Sequence, residues 1–287
     1  MNTHHIILGD CIEGMKTLSD KCVQTCITSP PYFGLRDYQG GEAEIGQEDT
    51  VEGYVQKMVE VFREVRRILR DDGTLWLNLG DSYMSAKNCA PPPQTVANGN
   101  ARSMPTDFIP ANRKDQDGLK TKDLIGIPWR VALALQADGW YLRQDIIWSK
   151  PNPMPERVED RCTKSHEYIF LLSKKSHYYY DHEAVKETTV DGAEKKNKRS
   201  VWTVNAKGYK GAHFAVYPEE LVTPCVLAGC PQDGTVFDPF TGSGTTAVVA
   251  LKNGRNYIGT ELNPEYIKIA EDRIADKIKP SLADVME

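Results

Sequence analysis

Apolar and polar positions follow two rhythms along this chain. Short apolar runs of strand length recur at His5-Ile6-Ile7-Leu8, Cys22 to Thr28, Thr74 to Leu79, Leu142 to Trp148, Thr235 to Asp238 and Asn256 to Thr260. Gly, Asp, Pro or other polar residues bound them, as strands require. Helical spacing lies between them. Val51, Val55, Met58, Val59, Phe62, Val65 and Leu69 fall at three- and four-residue steps. That predicts a helix over 50–69 with one apolar stripe, stopped by Asp71-Asp72-Gly73. Further helices are predicted over 11–18 (capped by Asp10), 127–137 (Pro128 in the first turn), 218–228 and 246–251. A last helix takes Asn263 as its cap and Pro264 as its first residue, with Ile267, Ala270, Ile274 and Ile278 as its buried stripe. His166–Ser173 and Tyr178–Tyr180 read as a hairpin pair. Strands alternating with helices predict an α/β fold around a mostly parallel sheet.

Two stretches break the pattern. Residues 82–122 hold Pro91-Pro92-Pro93 and Asn98-Gly99-Asn100. A structureless loop of this length is uncommon in a compact domain and is usually functional or disordered. It reads as an insertion, either a surface excursion or a DNA contact. Residues 181–212 are polar and basic, and between 194 and 210 Lys195, Lys196, Lys198, Arg199, Lys207 and Lys210 face a single acid, Glu194. Such a run is either a solvated loop or a nucleic-acid contact.

Composition narrows the class. The chain has 287 residues, 40% hydrophobic and 26% charged, ordinary for one globular α/β domain. No apolar run approaches the roughly 18–20 residues of a membrane span, and Met1-Asn2-Thr3-His4-His5 does not open a signal peptide. A cytoplasmic protein is expected. The seven cysteines, Cys11, Cys22, Cys26, Cys89, Cys162, Cys225 and Cys230, contain no Cys-x-x-Cys pair. They read as small buried hydrophobes rather than zinc ligands, and no metal is expected. A net charge of −5 speaks against nucleic acid only as a sum; the local basic run matters more.

Two tracts carry candidate chemistry. The first is Asp238-Pro239-Phe240-Thr241-Gly242-Ser243-Gly244-Thr245-Thr246, where a strand runs into a glycine turn and then a helix. This is the architecture of nucleotide binding at the carboxyl end of a parallel strand. Gly242 and Gly244 let backbone approach a ligand closely. Glu261, with Leu262 and Asn263 behind it, ends the next strand, where a carboxylate accepts from ribose hydroxyls. A dinucleotide is the rival ligand. Its Gly-x-Gly-x-x-Gly is not met, because Ala247 stands at the last position. Asp238 puts a carboxylate where a pyrophosphate would sit. A cationic cofactor, S-adenosylmethionine, suits that carboxylate better.

The second tract is Ser29-Pro30-Pro31-Tyr32, at the mouth of the Cys22–Thr28 strand. The exocyclic amine of a base is a poor nucleophile because its lone pair is delocalised into the ring. Acceptors on its N–H groups make the nitrogen more pyramidal. Ser29 offers a hydroxyl oxygen and Pro30 a carbonyl, on a turn stiffened by two prolines. Tyr32 offers a ring on which a base removed from the duplex stacks.

These tracts, in this order and over nearly the full length, resemble the beta group of DNA amino-methyltransferases, in which the tetrapeptide precedes the cofactor loop. Gly9-Asp10-Cys11 resembles the segment whose Asp contacts the cofactor adenine. Trp76-Leu77-Asn78-Leu79-Gly80-Asp81 resembles a wall of the target pocket, and Trp148-Ser149-Lys150-Pro151-Asn152-Pro153 with His166-Glu167-Tyr168 resembles the segment behind the base. His213-Phe214-Ala215-Val216-Tyr217-Pro218 resembles the piece that closes over the methionine end of the cofactor. The combination is especially similar to phage and prophage enzymes. The resemblance implies a Rossmann-like methyltransferase fold with a seven-stranded, mostly parallel sheet, an antiparallel last strand and a circularly permuted motif order. It implies base flipping in double-stranded DNA, S-adenosylmethionine as cofactor, and a homodimer or higher homo-oligomer. The interval 181–212 is short for a recognition region, so 82–122 or a second subunit is expected to share that task. A first-position Ser leans in the wider family towards cytosine N4, yet adenine enzymes with Ser occur; adenine N6 is slightly favoured here, with cytosine N4 the alternative. An RNA or protein methyltransferase, a catalytically inactive DNA-binding regulator and a dehydrogenase remain as readings of other classes.

Overall fold

The computed structural model describes residues 2–34, 44–84, 118–188, 192, 195–206 and 217–278. In chain order the elements are β1 (His4–Leu8), α1 (Cys11–Lys16), β2 (Val23–Thr28), α2 (Val51–Ile68), β3 (Leu69–Leu79), α3 (Ile127–Ala137), β4 (Tyr141–Ser149) and β5 (His166–Ser173). There follow β6 (Glu187–Thr188), β7 (Lys195–Lys196), β8 (Val201–Thr203), α4 (Glu219–Gly229), β9 (Thr235–Asp238), α5 (Thr245–Lys252), β10 (Asn256–Glu261) and α6 (Pro264–Lys277). The main sheet runs β1-β10-β9-β2-β3-β5-β4-β8, and β6 and β7 form a separate small hairpin.

The pairs β1–β10, β10–β9, β9–β2 and β2–β3 are parallel. β5 is antiparallel to both its neighbours, β3 and β4. Seven strands of the main sheet are the seven expected; the eighth, the three-residue β8, lies parallel to β4 at the edge. The antiparallel strand is not the last in the chain, since β10 is parallel. The odd strand is β5, which enters between β3 and β4 and fills the gap between them.

Period-two alternation places a core on each face of the sheet. Leu75, Leu77 and Leu79 of β3 and Phe170 and Leu172 of β5 pack with α1, α2 and α3. Trp76, Ile169 and Leu171 point the other way, onto α4 and α5. The sequence-predicted stripe of α2 is right in Val51, Met58, Phe62 and Val65. Its centre also takes in Tyr54, Val61 and Ile68, all fully buried, while Val55 and Val59 sit at its margin. Thr50 Oγ1 caps this helix by accepting from Gly53 N at 2.9 Å.

Two expected boundaries are corrected. Asp71-Asp72-Gly73 does not end α2. Leu69 already turns extended there and pairs with Val23. The polar trio forms an irregularity inside β3, where the register with β2 shifts between Val23 and Thr25. Tyr178–Tyr180 is not a hairpin partner of β5, because both edges of β5 are taken by β3 and β4. Tyr179 N bonds Asp72 O instead, and the Tyr180 ring stacks on Trp76.

β2 and β9 lie side by side, with Thr25 beside Val236 and Cys26 beside Phe237. From β2 the chain crosses by α2 to β3, and from β9 by α5 to β10, in opposite directions along the sheet. The strand order therefore reverses between them. A crevice opens at such a switch point, at the carboxyl ends of the strands.

Candidate active site

Four adjacent strands deliver the site. β1 ends at Gly9-Asp10-Cys11, β10 at Glu261, β9 at Asp238 and β2 at Ser29, all at the same edge. The two tracts, joined in the sequence only by analogy, meet here most closely where Thr28 Oγ1 donates to Asp238 Oδ1 at 2.7 Å; Thr246 Oγ1 also reaches Ile27 O at 3.4 Å.

Asp238 is buried and fully engaged. Its carboxylate accepts from Thr28 Oγ1, Phe240 N (3.0 Å), Thr246 Oγ1 (2.8 Å) and Tyr217 OH (3.3 Å). Burial raises its pKa above the ordinary aspartate value, and those donors oppose the rise. Asp238 thus braces Pro239, Phe240 and the start of α5. The loop beyond is left-handed at Gly242 (φ +50°) and at Gly244 (φ +77°), which caps α5. The two glycines differ in purpose. A Cβ on Gly242 would meet only Phe240 O, at an uncrowded 3.9 Å, whereas one on Gly244 would sit 2.8 Å from Ala270 Cβ on α6. Gly242 keeps the backbone accessible, and Gly244 lets α6 pack.

Glu261 holds this loop from the next strand. Its carboxylate accepts from Gly242 N at 2.8 Å and Asn263 N at 2.9 Å, and burial raises its pKa. Asn263 in turn caps α6 through Glu265 N. Arg273, one helix away, donates to Ser243 O (2.6 Å), Ser243 Oγ (2.8 Å) and Thr245 Oγ1 (3.1 Å). Asp10 caps α1, accepting from Ile12 N and Glu13 N; Gly9 N bonds Glu261 O, which sets Asp10 and Cys11 beside Glu261. Burial pushes the Cys11 thiol up to about 12, so it is no nucleophile. Cys26, Cys225 and Cys230 are buried as expected; Cys162 is exposed.

The tetrapeptide is gripped from three elements. Tyr54 OH of α2 donates to Pro31 O at 2.9 Å. Tyr32 OH donates to Glu167 Oε2 on β5 at 2.9 Å, with Asn78 Oδ1 on β3 a longer acceptor for the same proton at 3.3 Å, and receives Ser29 Oγ at 3.4 Å. A Cβ on Gly80 would fall 2.6 Å from Tyr32 Cε2, so bare backbone lies against that ring. Lys150 Nζ pairs with Glu167 Oε1 and lies 4.1 Å over the Trp148 ring. Asp81 caps α3 from a distance: its Oδ1 accepts from Gly126 N and Ile127 N, where Gly126 has no side chain to do so.

Of the predicted site residues, Asp10, Cys11, Ser29, Pro30, Pro31, Tyr32, Asp238 to Gly244, Thr245, Thr246 and Glu261 to Asn263 come together at this edge. His213, Phe214, Ala215, Lys207 and Lys210 lie outside the described residues. Lys195 and Lys196 form β7; Lys198 and Arg199 are both ion-paired to Glu187, and Lys198 also lies over the Trp202 ring. Of the 82–122 insertion only the two ends are described. They are tied by Met84 N to Asp123 O, Lys122 N to Met84 O, and a bridge between Tyr83 and Leu124. Sequence reasoning set Lys150 and Glu167 behind the base only by resemblance, and gave Arg273 no role. Periodicity could not have found them, for their partners are 17, 135 and about 30 positions away along the chain. Among the described residues there is no group of metal-ligating side chains and no helix long and apolar enough to cross a membrane.

Residues 23–272 match the family model described as DNA methylase. The chain is 52% identical over 270 residues to the type II methyltransferase M.SmaI of Serratia marcescens, covering 94% of this chain and 90% of that protein. It is 47% identical over 274 residues to the type II methyltransferase M.Cfr9I of Citrobacter freundii, covering 96% and 88%. Its fold is similar to that of the PvuII DNA methyltransferase, described as cytosine-N4-specific, with a TM-score of 0.70 at 20% identity over 99% of this chain and 90% of that one. A putative DNA modification methylase of Thermus thermophilus, complexed with S-adenosyl-L-methionine, matches with a TM-score of 0.64 at 22% identity, covering 98% and 96%.

Proposed function

The chain belongs to the DNA methylase family, as a beta-group amino-methyltransferase, and from that premise we propose that it transfers a methyl group from S-adenosylmethionine to the exocyclic amine of a cytosine flipped out of duplex DNA. The observation that carries the reading is the Thr28–Asp238 bond, which sets Ser29 and the glycine loop side by side. The loop suits a nucleoside cofactor: Gly242 offers backbone uncrowded by side chains, and Glu261 stands beside it as a half-buried acceptor. S-adenosylmethionine, when bound, supplies the methyl and a sulfonium leaving group. Everything else falls to the chain. Ser29 and the Pro30 carbonyl accept from the amine, Tyr32 supplies the ring for stacking, and the prolines keep the acceptors preorganised.

For the base, Ser29 at the first position and Lys150 in the wall favour cytosine N4, a reversal of the slight preference for adenine drawn from the sequence. On its Watson–Crick edge cytosine presents two acceptors in line with its amine, N3 and O2, and an ammonium matches them; on the same edge adenine presents N1 alone. One protein of similar fold is described as cytosine-N4-specific. The type II methyltransferase relatives support reading this chain as the modification half of a restriction–modification pair. The basic residues of 195–210 and the 82–122 insertion are assigned to DNA, the 213–215 segment to the cofactor, and a second copy of the chain to the rest of the recognition surface. DNA and cofactor meet in the cytoplasm, and a cytoplasmic protein is part of the same reading.

The test is nucleoside mass spectrometry on unmethylated DNA incubated with the protein and labelled S-adenosylmethionine. Labelled N4-methylcytosine is expected. Labelled N6-methyladenine would overturn the base, and no labelled base on DNA of diverse sequence would overturn the substrate.

A further inference from the structure

Behind the tetrapeptide stands a charged pair, Lys150 and Glu167, whose carboxylate has no part in the methyl transfer described above. Lys150 and Glu167 are only 17% and 16% exposed. Withdrawing two charges from water is costly, and apolar residues often fill such a layer at no loss of stability. β4 and β5 already pair here through backbone, with Trp148 opposite Glu167, so the sheet does not call for the ion pair. The pair is joined to the chemistry instead. Ser29 Oγ donates to Tyr32 OH, and Tyr32 OH donates to Glu167 Oε2. With the amine donating to Ser29, every donor in the row points the same way and the row ends on a carboxylate. Ser29–Tyr32, at 3.4 Å, is its long link; catalytic hydrogen bonds of this kind tighten once substrate is in place.

We propose that Glu167 is the proton acceptor of the transfer, reached from Ser29 through Tyr32, with Lys150 and Asn78 holding its carboxylate in position. The inference rests on the methyltransferase reading and deepens it. The amine nitrogen bonds the methyl carbon as the carbon–sulfur bond breaks, and that electron pair stays on sulfur. The nitrogen then holds one proton too many. Its N–H bond breaks with the pair left on nitrogen, Ser29 takes that proton and passes its own to Tyr32, and Tyr32 passes its own to Glu167. Glu167 ends as a carboxylic acid and surrenders the proton to water when product leaves. Burial holds the Tyr32 hydroxyl well above its ordinary pKa, so this residue stays neutral and conducts rather than stores the charge. The groups facing Glu167 are Tyr32, Asn78 from β3 (Nδ2 at 3.4 Å), Lys150 at the end of β4, and Lys164, whose ammonium pKa is lowered by burial.

Single-turnover methylation of duplex DNA by the parent, Glu167→Gln, Tyr32→Phe and the double variant tests the inference. Each single variant is expected to be about a hundredfold slower, and the double no slower than the slower single. Cofactor and DNA dissociation constants should stay within about threefold. The parent should show a solvent deuterium isotope effect that both singles lose. Infrared difference spectra between substrate and product complexes should show a carboxylic acid band in the parent that Glu167→Gln abolishes. A merely structural role moves neither signal. If Glu167→Gln fails to fold, Tyr32→Phe carries the test. A parent that methylates, with both singles within about threefold of it, overturns the inference alone. A parent that transfers no methyl to DNA overturns the reading beneath it.

Discussion

The Tyr32 ring is held at its hydroxyl by Glu167 and Asn78 and against one face by the bare backbone of Gly80. A ring fixed in this way is a preorganised stacking surface, and it is sensitive to a single methyl group. Gly80→Ala would put a Cβ 2.6 Å from Cε2, and the ring must move, because β3 cannot yield. Stacking on an aromatic ring contributes about 1–3 kcal/mol per base. Tyr32→Ala is therefore expected to weaken base capture by roughly that amount, and Gly80→Ala by part of it, with cofactor affinity unchanged in both. Fluorescence of 2-aminopurine at the target position reads the capture directly. Equal signal from parent and Gly80→Ala would show that the ring tolerates the methyl. Several residues at this scale were legible because their signals are local: Gly242 and Gly244 in a strand–turn–helix, Glu261 at the next strand's end, Ser29 before two prolines. Asp238 was read correctly in place and differently in use. It was expected to face a cationic cofactor, and its carboxylate is filled by four protein donors. No sequence spacing reveals whether an acid is already satisfied.

Helices and strands were read well where one apolar face decides them and less well where polar residues sit inside them. α3 falls on its predicted residues, 127–137, and α6 begins at its predicted cap. The Asp71-Asp72-Gly73 trio has the composition of a turn, but β2 captures it as an irregular stretch of β3; tertiary pairing overrides local preference there. Tyr178–Tyr180 has the composition of a strand, and no free edge of β5 remains for it. Helix-to-loop clamps were also hidden, since their partners come from distant elements. α6 exemplifies this. It looks like a surface helix closing the fold, yet its Arg273 reaches back to Ser243 and Thr245. Charge-assisted bonds contribute about 1.5–3 kcal/mol each when intact, and part of that holds the loop ready for its ligand. Arg273→Met keeps the apolar stem and removes the clamp. It is expected to raise the KM for S-adenosylmethionine about tenfold, equivalent to roughly 1.4 kcal/mol, with kcat little changed. A fall in kcat at saturating cofactor would mean instead that the loop's disorder reaches Asp238 and, through Thr28, the tetrapeptide.

On the scale of the whole molecule, permutation brings ends of the chain together. The tetrapeptide leaves β2 near the start, the cofactor loop leaves β9 near the end, and the switch point between these strands makes one crevice of them. The alternation of strands and helices announced this sheet; the position of β5 between β3 and β4 did not, because strand order is set by pairing and not by sequence distance. The net charge of −5 likewise hides how charge is distributed, and DNA responds to the distribution. Four cations of the described residues were assigned to DNA from composition alone. The structure divides them: Lys198 and Arg199 are engaged by Glu187, whereas Lys195 and Lys196 stand on β7 of the small hairpin. Each phosphate neutralised on B-DNA contributes about 0.9 to the slope of log affinity against log salt. Replacing Lys195 and Lys196 with Ala is therefore expected to flatten that slope by up to roughly 1.8. Replacing Lys198 and Arg199 should flatten it less, since those cations must first leave Glu187. Filter binding of duplex DNA across a salt series measures both. A slope unmoved by the first pair would make this hairpin a solvated surface and leave DNA contact to other parts of the crevice; equal losses from both pairs would mean that Glu187 gives up its partners when DNA arrives.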